Sequence, residues 1–292
     1  MLVSLLVRGT FAVEAEASKS PEKPSSPMCG DVTLGWMTED LLAAYDKHLR
    51  GTGLPALGAW SEQDGPLLRV VGEYRGFVTG PRDLSGYDVD ALIAAQTAFF
   101  GARGEAVEWK TRGHDLPDDL PDRLRAAGFA AEPTETVVIG RIADMPAAPP
   151  VPDGVVICRV GGEAIPAIVA MESQVWGRDC AFIGDHLAGS LAAAPDRLAI
   201  FTAEAAGRVV AAAWVALRED GVFASLWGGS TLKAWRGRGI YRALVAVRTR
   251  PAAEQGYRYL QVDASDDSRP ILERLGFHAV TTTTPYVWAP PS

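Results

Sequence analysis

The chain has 292 residues, of which 48% are hydrophobic and 22% are charged, and its net charge is −8. This composition is typical of a globular protein and excludes a largely disordered chain or a coiled coil. The acidic balance disfavours nucleic acid as a partner, and no apolar run is long enough to predict a membrane-spanning helix. Three cysteines without a CxxC pair suggest neither a disulfide framework nor a metal site, so we expect a cytoplasmic protein without a metal.

Residues 1–30 are expected to lie outside the fold as a disordered segment. Residues 18–27 are rich in Ser, Pro, Lys and Glu, a composition that cannot bury a core. The apolar stretch at residues 1–7 is short and follows no basic residues, which disfavours a secretory signal. The sequence leaves open whether Met28 is the true start.

The proline-rich segment at residues 146–152 predicts an extended linker between two domains, because four of its seven residues are proline. The predicted domains cover residues 31–145 and 153–292, and both have ordinary domain size. Residues 1–150 contain 22 Asp and Glu against 14 Lys and Arg, whereas residues 151–292 contain 14 of each. The negative excess therefore lies in the first half.

The two halves repeat the same order of predicted elements, which indicates a duplication. Residues 124–129 resemble residues 272–277, and each stretch predicts a short helix that ends at a glycine. Around these stretches we predict, in each half, a longer helix, a strand before the short helix and a strand after it. Their ranges are 88–100, 106–111 and 135–142 in the first half and 239–255, 257–264 and 279–288 in the second.

The second half begins with further elements that indicate a mixed sheet. Apolar residues at three- and four-residue steps predict helices at residues 163–176 and 182–194. Strands are predicted at residues 154–160, 197–205, 209–217 and 222–232, and a hairpin turn joins the third to the second of them. Antiparallel strands followed by a β-α-β crossover predict a mixed α/β sheet.

Residues 226–241 form the most informative segment: a strand, a glycine-rich turn and the start of a helix. Such a turn directs several backbone N–H groups and the positive end of a helix dipole to one place, which suits a phosphate. Between residues 221 and 253 there is no Asp or Glu but there are six basic residues, namely Lys233, Arg236, Arg238, Arg242, Arg248 and Arg250. A P-loop is excluded because Gly-Lys-Ser/Thr is absent, and Arg242 stands where a dinucleotide fingerprint needs its third glycine.

Residues 236–241 (Arg-Gly-Arg-Gly-Ile-Tyr) resemble the pyrophosphate loop of the GCN5-related N-acetyltransferase (GNAT) family, whose pattern is Gln/Arg-x-x-Gly-x-Gly/Ala. Tyr241 departs from the pattern, since it replaces a small residue and should crowd the loop. The resemblance covers residues 154–288. It implies transfer of an acetyl group, or a close acyl homologue, from acetyl-CoA to a primary amine of a small molecule or peptide by direct attack on the thioester.

The resemblance also implies which residues bind acetyl-CoA. The strand before the loop would pair with the pantetheine arm through its backbone, and the N–H groups of the loop would hold the pyrophosphate. Gly228 and Gly229 suit a β-bulge that opens this strand. The implied binding residues are Gly229, Ser230, Thr231 and Leu232 on the strand, and Arg236, Gly237, Arg238, Gly239, Ile240 and Tyr241 on the loop.

The chemistry needs a proton acceptor, because an ammonium group must lose a proton before it attacks a thioester. A carboxylate can accept this proton, and the candidates are Glu172 and Asp263. Asp263 is preferred because it interrupts an apolar strand, although it could instead cap the following helix. Cys180 with His186 could form a nucleophilic pair, but a buried small side chain is the favoured interpretation of Cys180.

A proton donor for the departing thiolate is not identified by the sequence. The family often carries a Tyr on the helix after the last crossover strand, and Leu272 occupies that place here. Ser265, near the position of a family Asn, is a candidate, as are Ser268 and Tyr286. Either one of these residues serves or the thiolate leaves as the anion.

The first half has no such loop, since residues 74–80 stand where one is expected and lack the pattern. We therefore predict two GNAT-like domains, each a twisted mixed β-sheet flanked by helices, of which the first is degenerate and covers a cationic acceptor. An acyl-CoA-binding sensor or scaffold is the alternative function, and a nucleotide-binding regulator is a more distant one. The acceptor stays open, and a homodimer is possible.

Overall fold

The computed structural model describes residues 31–50, 60–72 and 75–291. The segment predicted to be disordered, residues 1–30, lies outside them. The helices are α1 (Asp31–His48), α2 (Val89–Ala102), α3 (Leu120–Ala126), α4 (Ile165–Trp176), α5 (Ala181–Ala193), α6 (Ile240–Glu254) and α7 (Arg269–Arg274). The strands are β1 (Trp60–Asp64), β2 (Leu67–Val71), β3 (Gly76–Thr79), β4 (Val107–Arg112), β5 (Ala130–Ala131), β6 (Glu135–Arg141), β7 (Val155–Val160), β8 (Leu198–Ala205), β9 (Arg208–Leu217), β10 (Phe223–Thr231), β11 (Tyr259–Ala264) and β12 (His278–Trp288).

The described strands form one continuous sheet in the order β1-β2-β3-β4-β12-β6-β11-β10-β9-β8-β7, and β5 pairs separately with β12. Two neighbouring pairs are parallel, β3 with β4 and β10 with β11. The other pairs along the sheet are antiparallel. The predicted mixed α/β sheet is therefore confirmed. In each half a helix connects the two parallel strands, as a crossover requires.

The two halves exchange their last strands, which the sequence does not foresee. Strand β6 of the first half pairs with β11 of the second half. Strand β12 pairs with β6 through its first residues and with β4 through residues 283–288. The chain therefore ends in the sheet of the first half. Neither half closes its own sheet, so the division at residues 146–152 stays a prediction about the chain's organisation.

Among the described residues, hydrophobic side chains gather in three clusters that follow this topology. One lies in the second half and includes Met171, Trp214 and Leu244. Another lies in the first half and includes Phe100 and Tyr286, the latter from the exchanged strand β12. In the third cluster, apolar side chains of α1 pack on β6, β10 and β11, where the halves meet. Helix α1 thus covers the junction of the two halves.

The register of the sheet places polar side chains in a row across this junction. Thr283 of β12 lies opposite Arg112 of β4 on one side and opposite Glu135 of β6 on the other. Residues that face each other across strands project from the same face of a sheet. Because all three side chains are buried, the junction combines an apolar cluster with a buried polar row.

In the described part of the chain, none of the helices combines the length and the apolar character that a membrane crossing demands.

Candidate functional site

The parallel strands β10 and β11 separate part of the way along their length. They pair from Phe223 to Ser225 on β10 and from Tyr259 to Gln261 on β11. Beyond this point β10 continues to Thr231 and β11 to Ala264 without pairing to each other. The facing edges of the two strands then expose backbone N–H and C=O groups that a ligand can bind. The opening begins at Leu226, ahead of the glycine pair.

A β-bulge on β10 lies inside this opening. Gly228 faces Ala213 of β9, and Ser230 faces the next residue of β9, so Gly229 is the extra residue. Gly228 and Gly229 have φ angles of 67° and 88°, which favour glycine. A bulge bends its strand and changes the direction of the following residues. The local geometry that the glycine pair predicts is therefore present.

The glycine-rich turn after β10 leads directly into α6. Gly237 and Gly239 have φ angles of 73° and 85°, and Gly239 is the residue that precedes the helix. The backbone N–H of Ala243 donates to the carbonyl of Gly239 at 3.1 Å, so the N–H groups of residues 240–242 precede the helical hydrogen-bond pattern. A Cβ atom at Gly237 would meet nothing within 4 Å. The turn thus presents free donors and open space together.

The basic residues of this segment do not all face one place. Arg236 donates from Nε to the backbone carbonyl of Thr231 at 3.0 Å, which fastens the turn to the end of β10. Its backbone N–H donates to the carbonyl of Lys233 at 3.3 Å, so Arg236 is not one of the free loop donors that the resemblance implied. The guanidinium of Arg242 lies beside Gly239, 3.5 Å from where a Cβ would stand. Arg250 pairs with Glu254 on the exposed surface. Of these three, Arg242 is best placed to meet an anion at the turn.

Arg248 was expected to join this basic surface, and that expectation is wrong. Its side chain is buried, and its Nη1 donates to the backbone carbonyls of Trp214 and Trp227, at 3.3 Å and 3.0 Å. Burial lowers its pKa to about 10, and the nearby Tyr241 opposes this effect. Trp214 lies on β9, and Trp227 lies on β10 directly before the glycine pair. Arg248 therefore links α6 to both strands next to the bulge.

Tyr241, the residue that departs from the family pattern, packs against the bulge. A Cβ at Gly229 would come within 2.8 Å of Cε2 of the Tyr241 ring. Burial raises the pKa of its hydroxyl. The sequence predicts that the Tyr241 side chain crowds the glycine-rich turn. In the structure its ring packs against the bulge at Gly229 instead.

Glu172 is a buried carboxyl on α4 next to β10. Its Oε2 accepts a hydrogen bond from Nε1 of Trp176 at 2.9 Å, while its Oε1 is buried without a partner. Burial raises its pKa to about 7, and hydrogen bonds with Ser230 and Trp176 partly offset that rise. The Ser230 contact places the carboxyl beside the strand that carries the bulge.

Further unpartnered donors lie on the elements around Glu172. The buried indole N–H groups of Trp214 and Trp227 have no partner, nor do Nε and Nη2 of Arg178 in the α4–α5 connection or the hydroxyl of Thr231. Buried donors of this kind are costly unless a ligand or water meets them. Trp214 and Trp227 lie opposite each other on β9 and β10, so their indole N–H groups are neighbouring donors that oxygen atoms of a ligand or of water could satisfy.

Asp263, the other candidate base, lies in the junction between the halves. Its carboxylate pairs with the ammonium of Lys110 from β4 and accepts from Nε2 of Gln261 at 2.6 Å. Burial lowers the pKa of the Lys110 ammonium, but the nearby carboxyl groups of Asp263 and Glu135 raise it, and the result lies above the ordinary value. Since a lysine already neutralises Asp263, Glu172 is the better placed proton acceptor.

Glu135 shares the environment of Asp263 and was not singled out by its sequence. Burial raises its pKa, and the charge of Asp263 adds to the effect while Lys110 opposes it. Its Oε2 is buried without a partner. These surroundings therefore favour the protonated form of the Glu135 carboxyl more than water does.

The candidate proton donors are distributed over both halves. Ser265 directly follows β11, and its Oγ lies 3.2 Å from that of Ser268 at the start of α7. Tyr286 lies in the first-half cluster, where its hydroxyl accepts from Nη2 of Arg125 at 3.1 Å. Leu272 is fully buried. The geometry therefore keeps the two serines beside the opening and places Tyr286 away from it.

The Cys180 and His186 pair has no sign of a nucleophile. Cys180 is fully buried and its pKa is raised by burial, which favours the inert thiol. Burial lowers the pKa of His186 to about 4. Cys180 therefore has the properties of a small core side chain.

The first half differs from the second at the position that corresponds to the glycine-rich turn. Residues 76–79 of the stretch 74–80 form β3, and Gly76 is needed because a Cβ would overlap the Phe100 ring. The segment that corresponds to the glycine-rich turn is residues 80–88, between β3 and α2. There Asp88 precedes α2, and its carboxylate accepts from the backbone N–H of Ala91 at 3.0 Å. A carboxylate thus occupies the helix N-terminus of this half.

Sequence reasoning missed the structural roles of Arg248, Lys110 and Glu135. A signal existed for Arg248, because it follows the buried Leu244 by four residues and so lies on the same helix face. The partners of Lys110 and Glu135 come from strands far away in the chain, and no local pattern identifies them.

The fold resembles solved structures of acetyltransferases. A GCN5-related N-acetyltransferase from Kribbella flavida matches with a TM-score of 0.60 and 18% identity, covering 90% of this chain and 98% of its own. A tandem GNAT protein from the clavulanic acid biosynthesis pathway, in a structure without AcCoA, matches with a TM-score of 0.59 and 14% identity, covering 90% and 97%.

A GCN5-related N-acetyltransferase from Sphaerobacter thermophilus matches with a TM-score of 0.59 and 16% identity, covering 87% of this chain and 86% of its own. No family model matches the sequence, and no curated protein matches it significantly. At these identities the likeness concerns the fold, and it extends over both halves. The chain has the tandem fold of the GCN5-related N-acetyltransferases.

Proposed function

We propose that the second half transfers an acetyl group from acetyl-CoA to a primary amine of a small molecule or peptide in the cytoplasm. One observation carries the proposal: the bulged opening between β10 and β11 lies next to a glycine-rich turn at the start of α6. The turn suits a pyrophosphate, and the unpaired edge of β10 suits an extended chain with amide groups. Such a chain leads from the turn into the opening.

In this proposal, the N–H groups from Gly237 to Tyr241 hold the pyrophosphate and Arg242 adds charge. Residues 229–231 of β10 and Leu232, which follows the strand, bind the pantetheine arm. The thioester carbonyl then lies near the bulge, where a backbone N–H of β10 stabilises the oxyanion that forms on attack. These groups fit the donor because they are free donors beside open space.

Glu172 takes the role of proton acceptor for the attacking amine. With a pKa of about 7, Glu172 is partly ionised at neutral pH, and its ionised fraction can accept a proton and become neutral. Its Oε1 is buried without a partner, and in this proposal the ammonium group of the acceptor meets it. The buried donors on Trp214, Trp227 and Arg178 would then meet oxygen atoms of the acceptor.

The test combines a binding and a turnover measurement on the full chain. Calorimetry with CoA is expected to show one site per chain, because the turn with free N–H groups belongs to the second half. Release of free thiol from acetyl-CoA is then followed with a panel of primary amines. We expect turnover with at least one amine, and mass spectrometry of the product should show acetylation of its nitrogen.

Two outcomes contradict the proposal in different ways. Tight CoA binding without turnover on any acceptor supports the sensor or scaffold function. No binding of CoA, together with stabilisation by ATP or NAD, supports a nucleotide-binding regulator. A stoichiometry near two overturns the assignment of a single working half.

A further inference from the structure

The proposed transfer expels a thiolate, and a proton donor beside it speeds that step. The side chain at the position of the usual family donor, Leu272, is a buried aliphatic group and has no proton to give. A replacement has to lie inside the opening between β10 and β11. It also needs a path by which it regains its proton.

Tyr241 has this location. It is the second residue of α6, and the edge of its ring lies against Gly229, the extra residue of the bulge. Any other residue at position 229 would collide with the ring, since a Cβ there would stand 2.8 Å from Cε2. The Tyr241 ring therefore fills the space that a side chain at position 229 would take.

The hydroxyl of Tyr241 connects the opening to solvent through two serines. This hydroxyl lies near the side chain of Ser268 at the start of α7. The Oγ of Ser268 lies 3.2 Å from that of Ser265, which is exposed and follows the end of β11. The phenol thus reaches from α6 toward α7, where the pair of serine hydroxyls leads outward to solvent.

Burial and charge around Tyr241 suit a group that gives up a proton briefly. Burial raises its pKa, which keeps the phenol protonated at neutral pH. The buried guanidinium of Arg248 is the charge near it and opposes that rise. Arg248 therefore favours the transient phenolate, while its own hydrogen bonds go to backbone carbonyls.

We propose that Tyr241 is a catalytic residue that protonates the departing thiolate, and that Ser268 and Ser265 return the proton from solvent. The assignment rests on the proposed acetyl transfer. In the step, the amine nitrogen bonds to the carbonyl carbon and the carbon–sulfur bond breaks. The sulfur takes the proton of the Tyr241 hydroxyl, the proton of the amine goes to Glu172, and the phenolate is reprotonated through the serines.

The test compares two leaving groups in the Tyr241→Phe variant, which keeps the ring on Gly229 and removes the hydroxyl. With acetyl-CoA, we expect kcat to fall by about a hundredfold. With the acetyl ester of the selenol analogue of CoA, we expect almost no change, because a selenol is much more acidic than a thiol and leaves as the anion. Calorimetry should show unchanged CoA affinity, and Tyr286→Phe, with its hydroxyl in the first half, should leave kcat unchanged.

The outcomes separate this proposal from the one it rests on. If the wild-type protein turns over no amine, acetyl transfer is wrong and the role of Tyr241 is wrong with it. If the wild type is active and Tyr241→Phe is equally active with acetyl-CoA, only the assignment of Tyr241 is wrong. An equal loss with both leaving groups also overturns it, because that pattern indicates a purely positioning role.

Discussion

Two helices of this protein follow a parallel strand in the same way, yet their N-termini carry opposite chemistry. Asp88 precedes α2, and its carboxylate accepts a hydrogen bond from a backbone N–H of the first turn. Asp90 adds a second negative charge to that turn. Before α6 stands Gly239, and the first turn of α6 has no acidic residue. A helix N-terminus attracts one anion, and in the first half a side chain of the chain itself is that anion.

The strands that lead into these helices differ in the same sense. Strand β3 pairs with β2 in continuous register, whereas β10 has the bulge. At the end of the β3–β4 pair, Nη1 of Arg112 donates to the hydroxyl of Thr79 at 2.8 Å and bridges the two strands. Side chains thus bridge the parallel strands of the first half, while the corresponding strands of the second half separate. The same arrangement of strands and helices can therefore be closed or open to a ligand.

The largest expected effect concerns Glu172. If it is the proton acceptor, Glu172→Gln should lower kcat about a thousandfold, or about 4 kcal/mol in activation free energy. A base acts when it is deprotonated, so activity of the wild type should fall as pH drops through about 7. Steady-state rates between pH 5 and 9 measure both effects.

Trp176→Phe is the matched control for Glu172. It removes the N–H that donates to Oε2, a hydrogen bond that lowers the pKa of the carboxyl. The acidic limb of the rate profile should therefore move to higher pH. An unmoved limb would show that another group titrates.

The next effect concerns the junction that joins the halves. Lys110→Met leaves the buried carboxylate of Asp263 without its cation, and the free energy of unfolding should fall by about 3 kcal/mol. Denaturant titration measures it. Adding Asp263→Asn to the same chain should restore most of the loss, because the buried charge is then gone. A single variant as stable as the wild type would mean that the junction does not depend on this pair.

A comparison of the two helix N-termini can be made directly with a carboxylate. Gly239→Asp should weaken CoA binding about a hundredfold or more, because its carboxylate would repel the pyrophosphate and compete with it for Arg242 and the helix N-terminus. Gly239→Asn tests the backbone separately, since Asn tolerates a positive φ and carries no charge. Calorimetry should find that Asn costs much less than Asp.

Gly86→Asp is the matched variant in the first half. Gly86 lies in the segment before α2, and a Cβ there would meet nothing within 4 Å. CoA affinity should stay within about twofold of the wild type, a difference of less than 1 kcal/mol. An equal loss from Gly86→Asp and Gly239→Asp would show that the first half also binds CoA.

The sequence predicts the part of the site that depends on neighbours along the chain. Gly228, Gly229 and Gly239 mark backbone conformations that are local, and the structure has them. It does not predict the exchange of β6 and β12, because strand pairing depends on distant segments of the chain. For the same reason Asp263 can be identified as a polar residue in an apolar strand, while its partner Lys110, from β4, cannot. From its charge, the sequence predicts Arg248 on the basic surface, but its helix position lies on the buried face of α6.

The last prediction has a small effect per pH unit and tests whether the junction favours a protonated carboxyl, as the surroundings of Glu135 indicate. Its pKa is raised in the folded chain by burial and by Asp263, so folding favours its protonated form. Above the ordinary pKa of a glutamate, the unfolded chain gives up this proton and the folded chain keeps it, and stability should therefore fall as pH rises from about 5 to 8. Glu135→Gln cannot ionise and should remove up to about 1 kcal/mol of this fall per pH unit. Unfolding free energies of both chains at pH 5, 6.5 and 8 decide the matter, since parallel profiles would mean that Glu135 ionises alike in the folded and unfolded chain.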